Sequence, residues 1–149
     1  MREENEHEAL CIYLAHQYPD VLFNTDLSGV KLPESTAKRV SKLRSSRAYP
    51  DLTLYEPRGR YLGLFIELKR TGEVIYKKDG SLRAMKKPIY RKVRGLKKRV
   101  IIGYYDHLQE QHEMILKLRQ RGYYADFAIG FDKAVKLVDW YLNLEKPVN

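Results

Sequence analysis

Two strand-like runs joined by a turn constrain this chain more than any other feature. The first contains Pro50-Asp51-Leu52-Thr53-Leu54-Tyr55; the second ends in Phe65-Ile66-Glu67-Leu68-Lys69. Glu56-Pro57-Arg58-Gly59-Arg60 lies between them and reads as a turn from its proline and glycine. A hairpin centred on Gly59 sets Asp51 opposite Glu67, with Cβ atoms roughly 5 Å apart. Lys69, two residues on, points from the same face. Two carboxylates this close repel unless a cation lies between them or one is protonated. Their hard oxygens suit Mg2+ or Mn2+ better than zinc. Lys69 is placed to orient an attacking water or to stabilise charge on a phosphate. The bland alternative is an ordinary hairpin carrying an Asp–Lys–Glu ion cluster. Leu52, Leu54, Leu62, Leu64 and Ile66 are expected to bury the flanks. Paired carboxylates at a core edge are costly without a ligand, which favours the functional reading.

At 149 residues the chain fits one domain, and a hydrophobic content of 44% is enough for a real core. No apolar run approaches the roughly 20 residues of a bilayer span. The acidic start, Met1-Arg2-Glu3-Glu4-Asn5-Glu6, does not resemble a signal peptide. The single cysteine, Cys11, falls in an apolar helical run and reads as a small core residue. A soluble cytoplasmic protein with no membrane partner is expected. The net charge of +9 points to a polyanionic partner, nucleic acid first. Its cations cluster. Residues 85–106 hold eight (Lys86, Lys87, Arg91, Lys92, Arg94, Lys97, Lys98, Arg99) against one acid, Asp106. Lys86, Lys87, Arg91, Lys92, Lys97, Lys98 and Arg99 are the candidate nucleic-acid contacts. A second basic stretch, Lys31 to Arg47, runs up to Asp51. Tyr90, Tyr104 and Tyr105 flank the first cluster, as base-stacking platforms or as ordinary sheet-edge packing.

Residues 3–17 read as a helix ended by Tyr18-Pro19-Asp20. Glu3, His7, Leu10 and Leu14 share one of its faces. Val21 to Phe23 reads as a short strand and Ser35 to Arg44 as a weakly amphipathic helix. Asp79-Gly80 marks a second tight turn. Val100 to Ile102 reads as a strand. Asp106 is expected to cap a helix that stops at Gly122, with Leu108, Gln111, Ile115 and Leu118 facing inward. Gln111 on an apolar stripe needs a partner. It is either half exposed near the helix start or part of a site. A strand over residues 123–131 and a last helix capped by Asp132 complete the order. That order is α/β with a mixed sheet flanked by helices.

Pro50-Asp51 followed by Glu67-Leu68-Lys69 resembles the PD-(D/E)xK, restriction-endonuclease-like nuclease superfamily. The chain more narrowly resembles its VRR-NUC (virus-type replication-repair nuclease) group, especially small stand-alone phage proteins. Matching stretches include Gly63-Leu64-Phe65-Ile66-Glu67-Leu68-Lys69-Arg70, Tyr76-Lys77-Lys78-Asp79-Gly80-Ser81 and His107-Leu108-Gln109-Glu110-Gln111. The resemblance spans nearly the whole chain as a single domain, 1–149, with residues 85–106 as a basic insertion. It implies metal-dependent hydrolysis of DNA phosphodiesters. Asp51 and Glu67 would hold Mg2+ or Mn2+, Lys69 would serve the water, and Gln111 would join the site. A glutamate from the first helix would join too. Glu3, Glu4, Glu6 and Glu8 compete for that role, and Glu3 is preferred because its face continues into Leu10 and Leu14. Small relatives further imply a branched substrate such as a Holliday junction and a homodimer. The alternative reading is a non-catalytic basic nucleic-acid-binding or replication-assembly module.

Overall fold

The computed structural model describes residues 2–27 and 30–148. Helix α1 (Glu3–Gln17) leads into strand β1 (Phe23–Thr25) and helix α2 (Glu34–Lys42). Strands β2 (Leu52–Leu54) and β3 (Leu64–Lys69) follow. Next come β4 (Lys86–Arg91), β5 (Val100–Asp106), α3 (His107–Gln120), β6 (Tyr124–Ile129) and α4 (Phe131–Leu142). The main sheet has the order β1-β2-β3-β6. Its first three strands are antiparallel, and β6 runs parallel to β3. Strands β4 and β5 form a separate two-stranded ribbon. Among the described residues no helix is long and apolar enough to cross a membrane.

Strand alternation sorts the sheet's side chains onto two faces. Leu52, Leu54, Leu64, Ile66 and Leu68 pack with Leu10 and Leu14 of α1 and Ala134, Val138 and Tyr141 of α4 in the larger core cluster. On the opposite face Phe65 and Phe127 pack with Ala125 and with Met114, Ile115 and Leu118 of α3. Each buried leucine or isoleucine contributes about 1.5–3 kcal/mol over its exposed state. Glu67 and Lys69 alternate with the leucines of β3, so they emerge on the α3 face.

The hairpin register matches the expected one: Leu52 pairs with Ile66 and Leu54 with Leu64. Arg58 and Tyr61 bridge its tip, where Gly59 has φ +55°, a left-handed conformation natural to glycine. Arg58 donates to Leu142 O at 2.5 Å, placing a cation at the negative end of α4. Leu62 does not bury the flank as expected. It is 58% exposed, because it sits in the loop before the strand begins.

Several boundaries differ from the sequence reading. Strand β1 begins at Phe23 rather than Val21, where pairing with Leu54 starts. Lys86–Arg91 is a strand that the sequence did not suggest. Asp132 lies in the first turn of α4, and the cap is Gly130. Gly130 has φ +87°, and a Cβ there would meet Thr71 Oγ1 at 2.6 Å, so the chain can turn only with glycine. Asp106 does cap α3, accepting from Gln109 N at 3.1 Å. The side chain of Gln109 bonds Glu113 instead of completing a reciprocal capping box.

Candidate active site

Asp51 precedes β2, and Glu67 lies across the hairpin on β3, so the observed register brings the two carboxyls together. Asp51 is 7% exposed and Glu67 is 3% exposed. Asp51 Oδ2 accepts from Leu68 N at 2.8 Å, which fixes one of its oxygens. Lys69, equally buried, has Nζ 3.7 Å from Glu67 Oε1. Gln111 reaches in from α3 and joins them. Its Oε1 accepts from Lys69 Nζ at 2.8 Å, and its Nε2 donates to Glu67 Oε1 at 2.8 Å. Lysine can only donate, so the carboxamide has one consistent orientation. Its Nε2 also lies 3.1 Å from His107 Nε2, which must then accept. The inward Gln111 is therefore buried and fully partnered rather than half exposed at the helix start.

These groups line a cleft of about 420 Å³ whose rim includes Glu3, Glu73, Arg44, Arg47 and Lys87. Helix α1 delivers Glu3 to it by crossing the end of β3. The crossing is secured by Glu6, one turn on, which is 1% exposed. Its carboxylate accepts from Thr71 N at 2.9 Å, from Thr71 Oγ1, and from Phe131 N at 3.3 Å. Burial alone would raise the Glu6 pKa, but these bonds hold it below the usual range. Of the four competing glutamates, Glu3 is at the cleft and Glu6 is a structural tie among α1, β3 and α4. Sequence reasoning passed over the second role, because its partners lie 65 and 125 residues away.

The electrostatics are those of a site short of positive charge. Burial, then the charge of Asp51, pushes the Glu67 carboxyl well above its ordinary range. Burial also raises Asp51, with the Leu68 N–H opposing it. Burial and then Asp51 raise Glu3. Each carboxyl thus raises the proton affinity of the site, and a cation between them would relieve both. His107 is pushed down to about 4 by burial and then by Lys87 and Lys69, so it is neutral at pH 7. Among the described residues no group of three or more His, Cys, Asp or Glu is arranged as a complete metal cage. Two oxygen ligands with raised proton affinity nevertheless fit Mg2+, which keeps several waters and takes only one or two carboxylates plus phosphate oxygens.

A rivet joins the site to the basic ribbon. The Arg47 guanidinium lies 3.8 Å from the ring centroid of Tyr105, and the His107 ring meets the same tyrosine edge-on at 6.0 Å. Arg47 is also held by Glu110 through paired bonds of 2.9 and 3.0 Å. Tyr105 is thus packed against the core, whereas Tyr104 and Tyr90 remain exposed. Lys86, Lys87 and Arg91 lie on β4, and Lys92, Lys97, Lys98 and Arg99 occupy the loop that joins it to β5. Of these only Lys87 reaches the cleft. His107 was not singled out from the sequence. Its signal was the four-residue spacing to Gln111 on α3, which stacks the two side chains on neighbouring turns.

No family model matches the sequence, and no curated protein matches it. A solved structure described as a VRR_NUC domain protein is similar to it over 98% of this chain and 92% of that one. The TM-score is 0.64 at 20% sequence identity. That extent takes in both faces of the main sheet and the hairpin bearing Asp51 and Glu67. The chain therefore shares the fold of that VRR_NUC domain protein, an α/β core with a mixed sheet flanked by helices.

Proposed function

We propose that the protein is a Mg2+- or Mn2+-dependent deoxyribonuclease that hydrolyses phosphodiester bonds, with its site at Asp51, Glu67, Lys69, Gln111 and Glu3. The observation that carries the reading is the buried Asp51–Glu67 pair with Lys69 tied to it through Gln111. A merely structural ion cluster would match charges, yet this one leaves both carboxyls with raised proton affinity. Asp51 and Glu67 are the ligands. When bound, the metal neutralises the pair and polarises a phosphoryl oxygen.

The chain's own residues do the positioning. The Leu68 N–H and Gln111 each hold one carboxylate oxygen, so the other oxygen on each side remains available. Gln111 also fixes Lys69 Nζ at the cleft, where its positive charge faces the oxygens of the attacked phosphate. His107, neutral and accepting from Gln111, keeps that carboxamide from rotating. Glu3 lines the rim, where it would hold a water beside the bound ion. Arg44 and Arg47 on the rim present donors to the neighbouring phosphates of the strand.

The decisive experiment incubates linear, nicked, flapped and four-way DNA with the protein in Mg2+, Mn2+ or EDTA. Cleavage with either metal and none in EDTA is expected, and the four-way arm tests the branched-substrate expectation. Sedimentation alone and with junction DNA tests the homodimer. Cutting that survives Glu67→Ala, or binding with no cutting in either metal, overturns the reading in favour of a non-catalytic module.

A further inference from the structure

The segment from Gly80 to Tyr105, most of it ribbon, carries the whole net charge of the protein. Residues 80–105 contain nine cations and no acid, and the remaining residues balance at nineteen cations and nineteen acids. The ribbon is a sheet of its own, with its tip beside Glu34 of α2. Its strands pair only with each other, leaving an unpaired edge on each. Tyr90, Ile101, Ile102 and Tyr104 are all exposed, by 49% to 63%. A two-stranded hairpin by itself is marginal in water, and a partner laid on this one would stabilise it. A second copy would bring a second ribbon of the same charge, which opposes pairing between ribbons. A polyanion complements it. The base is set beside the cleft by the Arg47–Tyr105 stack and by His107 N donating to Met85 O at 2.8 Å.

We propose that the β4–β5 ribbon enters the major groove of B-form duplex DNA next to the bond presented at the cleft. This rests on the nucleic-acid reading above for its partner class. The major groove of B-DNA, about 12 Å wide, admits a two-stranded β-ribbon, whereas the corresponding groove of A-form RNA is too narrow. Lys92 and Arg94 precede Gly95 in the tip loop and Lys97, Lys98 and Arg99 follow it, and Lys92, Lys97, Lys98 and Arg99 line one cavity there with Tyr90 and Glu34. The bulge between Ile89 and Tyr90 turns the ribbon before the tip. Arg99 also lies 5.0 Å from the Tyr90 ring centroid, which braces the loop across its neck.

The test measures binding in EDTA, so it is independent of whether the protein cuts. Binding of plain duplex DNA is followed against salt for the wild type, for K97A/K98A/R99A and for K92A/R94A. Each lost phosphate contact removes about 0.9 from the log–log slope, so the triple variant should lose up to about 3 and the double about 2. Guanine N7 protection from methylation should appear in the wild-type complex and fade in both variants. Circular dichroism that matches the wild type keeps a weak variant from being an unfolded one. Unchanged slopes, equal losses on an RNA duplex, or altered sedimentation with an intact slope each overturn the proposal, the last in favour of an arm between copies. If the slopes fall but no metal supports cleavage, the groove assignment stands and the nuclease reading fails.

Discussion

The cleft and the ribbon meet at Tyr105, yet they are built by opposite rules. At the floor of the cleft the charged groups are buried and individually bonded: Asp51 to Leu68 N, Glu67 to Gln111, and Lys69 to Gln111. On the ribbon the cations are exposed and share a sign rather than defined partners, Arg99 over the Tyr90 ring apart. Buried polar groups need defined partners, because each unmet bond costs about 1–3 kcal/mol. Exposed charges need none, because solvent screens them within about 10 Å. The difference separates geometry from grip. The cleft is specified to the level of single oxygens, whereas the ribbon tolerates exchange of one cation for another.

The sharpest way to break that division is to remove a carboxylate. Asp51→Ala or Glu67→Ala should reduce cleavage to background while leaving duplex affinity in EDTA at or above the wild-type value. A matched loss of affinity would mean that the two regions are one binding surface. Lys69→Ala should slow single-turnover cleavage by about 10²-fold, the scale for losing one aimed charge. Gln111→Ala should cost about 10–100-fold, the scale for a group that orients its neighbours. If Gln111→Ala unfolds by circular dichroism, its role is to hold the core rather than the site.

A smaller effect appears in stability. Carboxyls whose pKa is raised in the folded state favour folding when protonated. That contribution is fully present below the ordinary carboxylate range and is lost as pH rises through the raised values. Glu67→Gln keeps the bond from Gln111 and removes the charge. At pH 8 without metal its melting midpoint should rise by about 3 °C, roughly 1 kcal/mol for a domain of this size. Mg2+ should stabilise the wild type and not this variant, and a wild type indifferent to the ion would count against Asp51 and Glu67 as ligands. The least effect is expected from Tyr105→Leu, which removes a cation–π contact of about 0.5–1 kcal/mol. Its signature is positional: cuts on a fixed duplex should scatter while binding persists, and an unchanged cut position would show that the rivet does not register the ribbon to the cleft.

Much of the core was legible because its determinants are local. The Asp51–Glu67 register followed from Pro57, Gly59 and the strand period. The face of α3 followed from Leu108, Gln111, Ile115 and Leu118 at helical spacing. Strand β4 was not legible, since Lys86-Lys87-Pro88-Ile89-Tyr90-Arg91 lacks alternation and carries a proline tolerated only at an edge. It is a strand because β5 supplies its partner. Asp132 looked like a cap by residue type, but close approach of Thr71 assigned the turn to Gly130.

By itself the sequence determined the elements of the main sheet, the facing carboxylates, the lysine beside them and the concentration of cations after Gly80. Each is a matter of spacing or composition along a few neighbouring residues. Only the tertiary structure decided that Gln111 bridges Lys69 and Glu67, that Glu3 rather than Glu6 lies at the cleft, and that the basic segment forms a separate ribbon pinned by Arg47. These depend on contacts between residues dozens of positions apart. The chain's local periodicity leaves such contacts undetermined until the two faces of the sheet are packed.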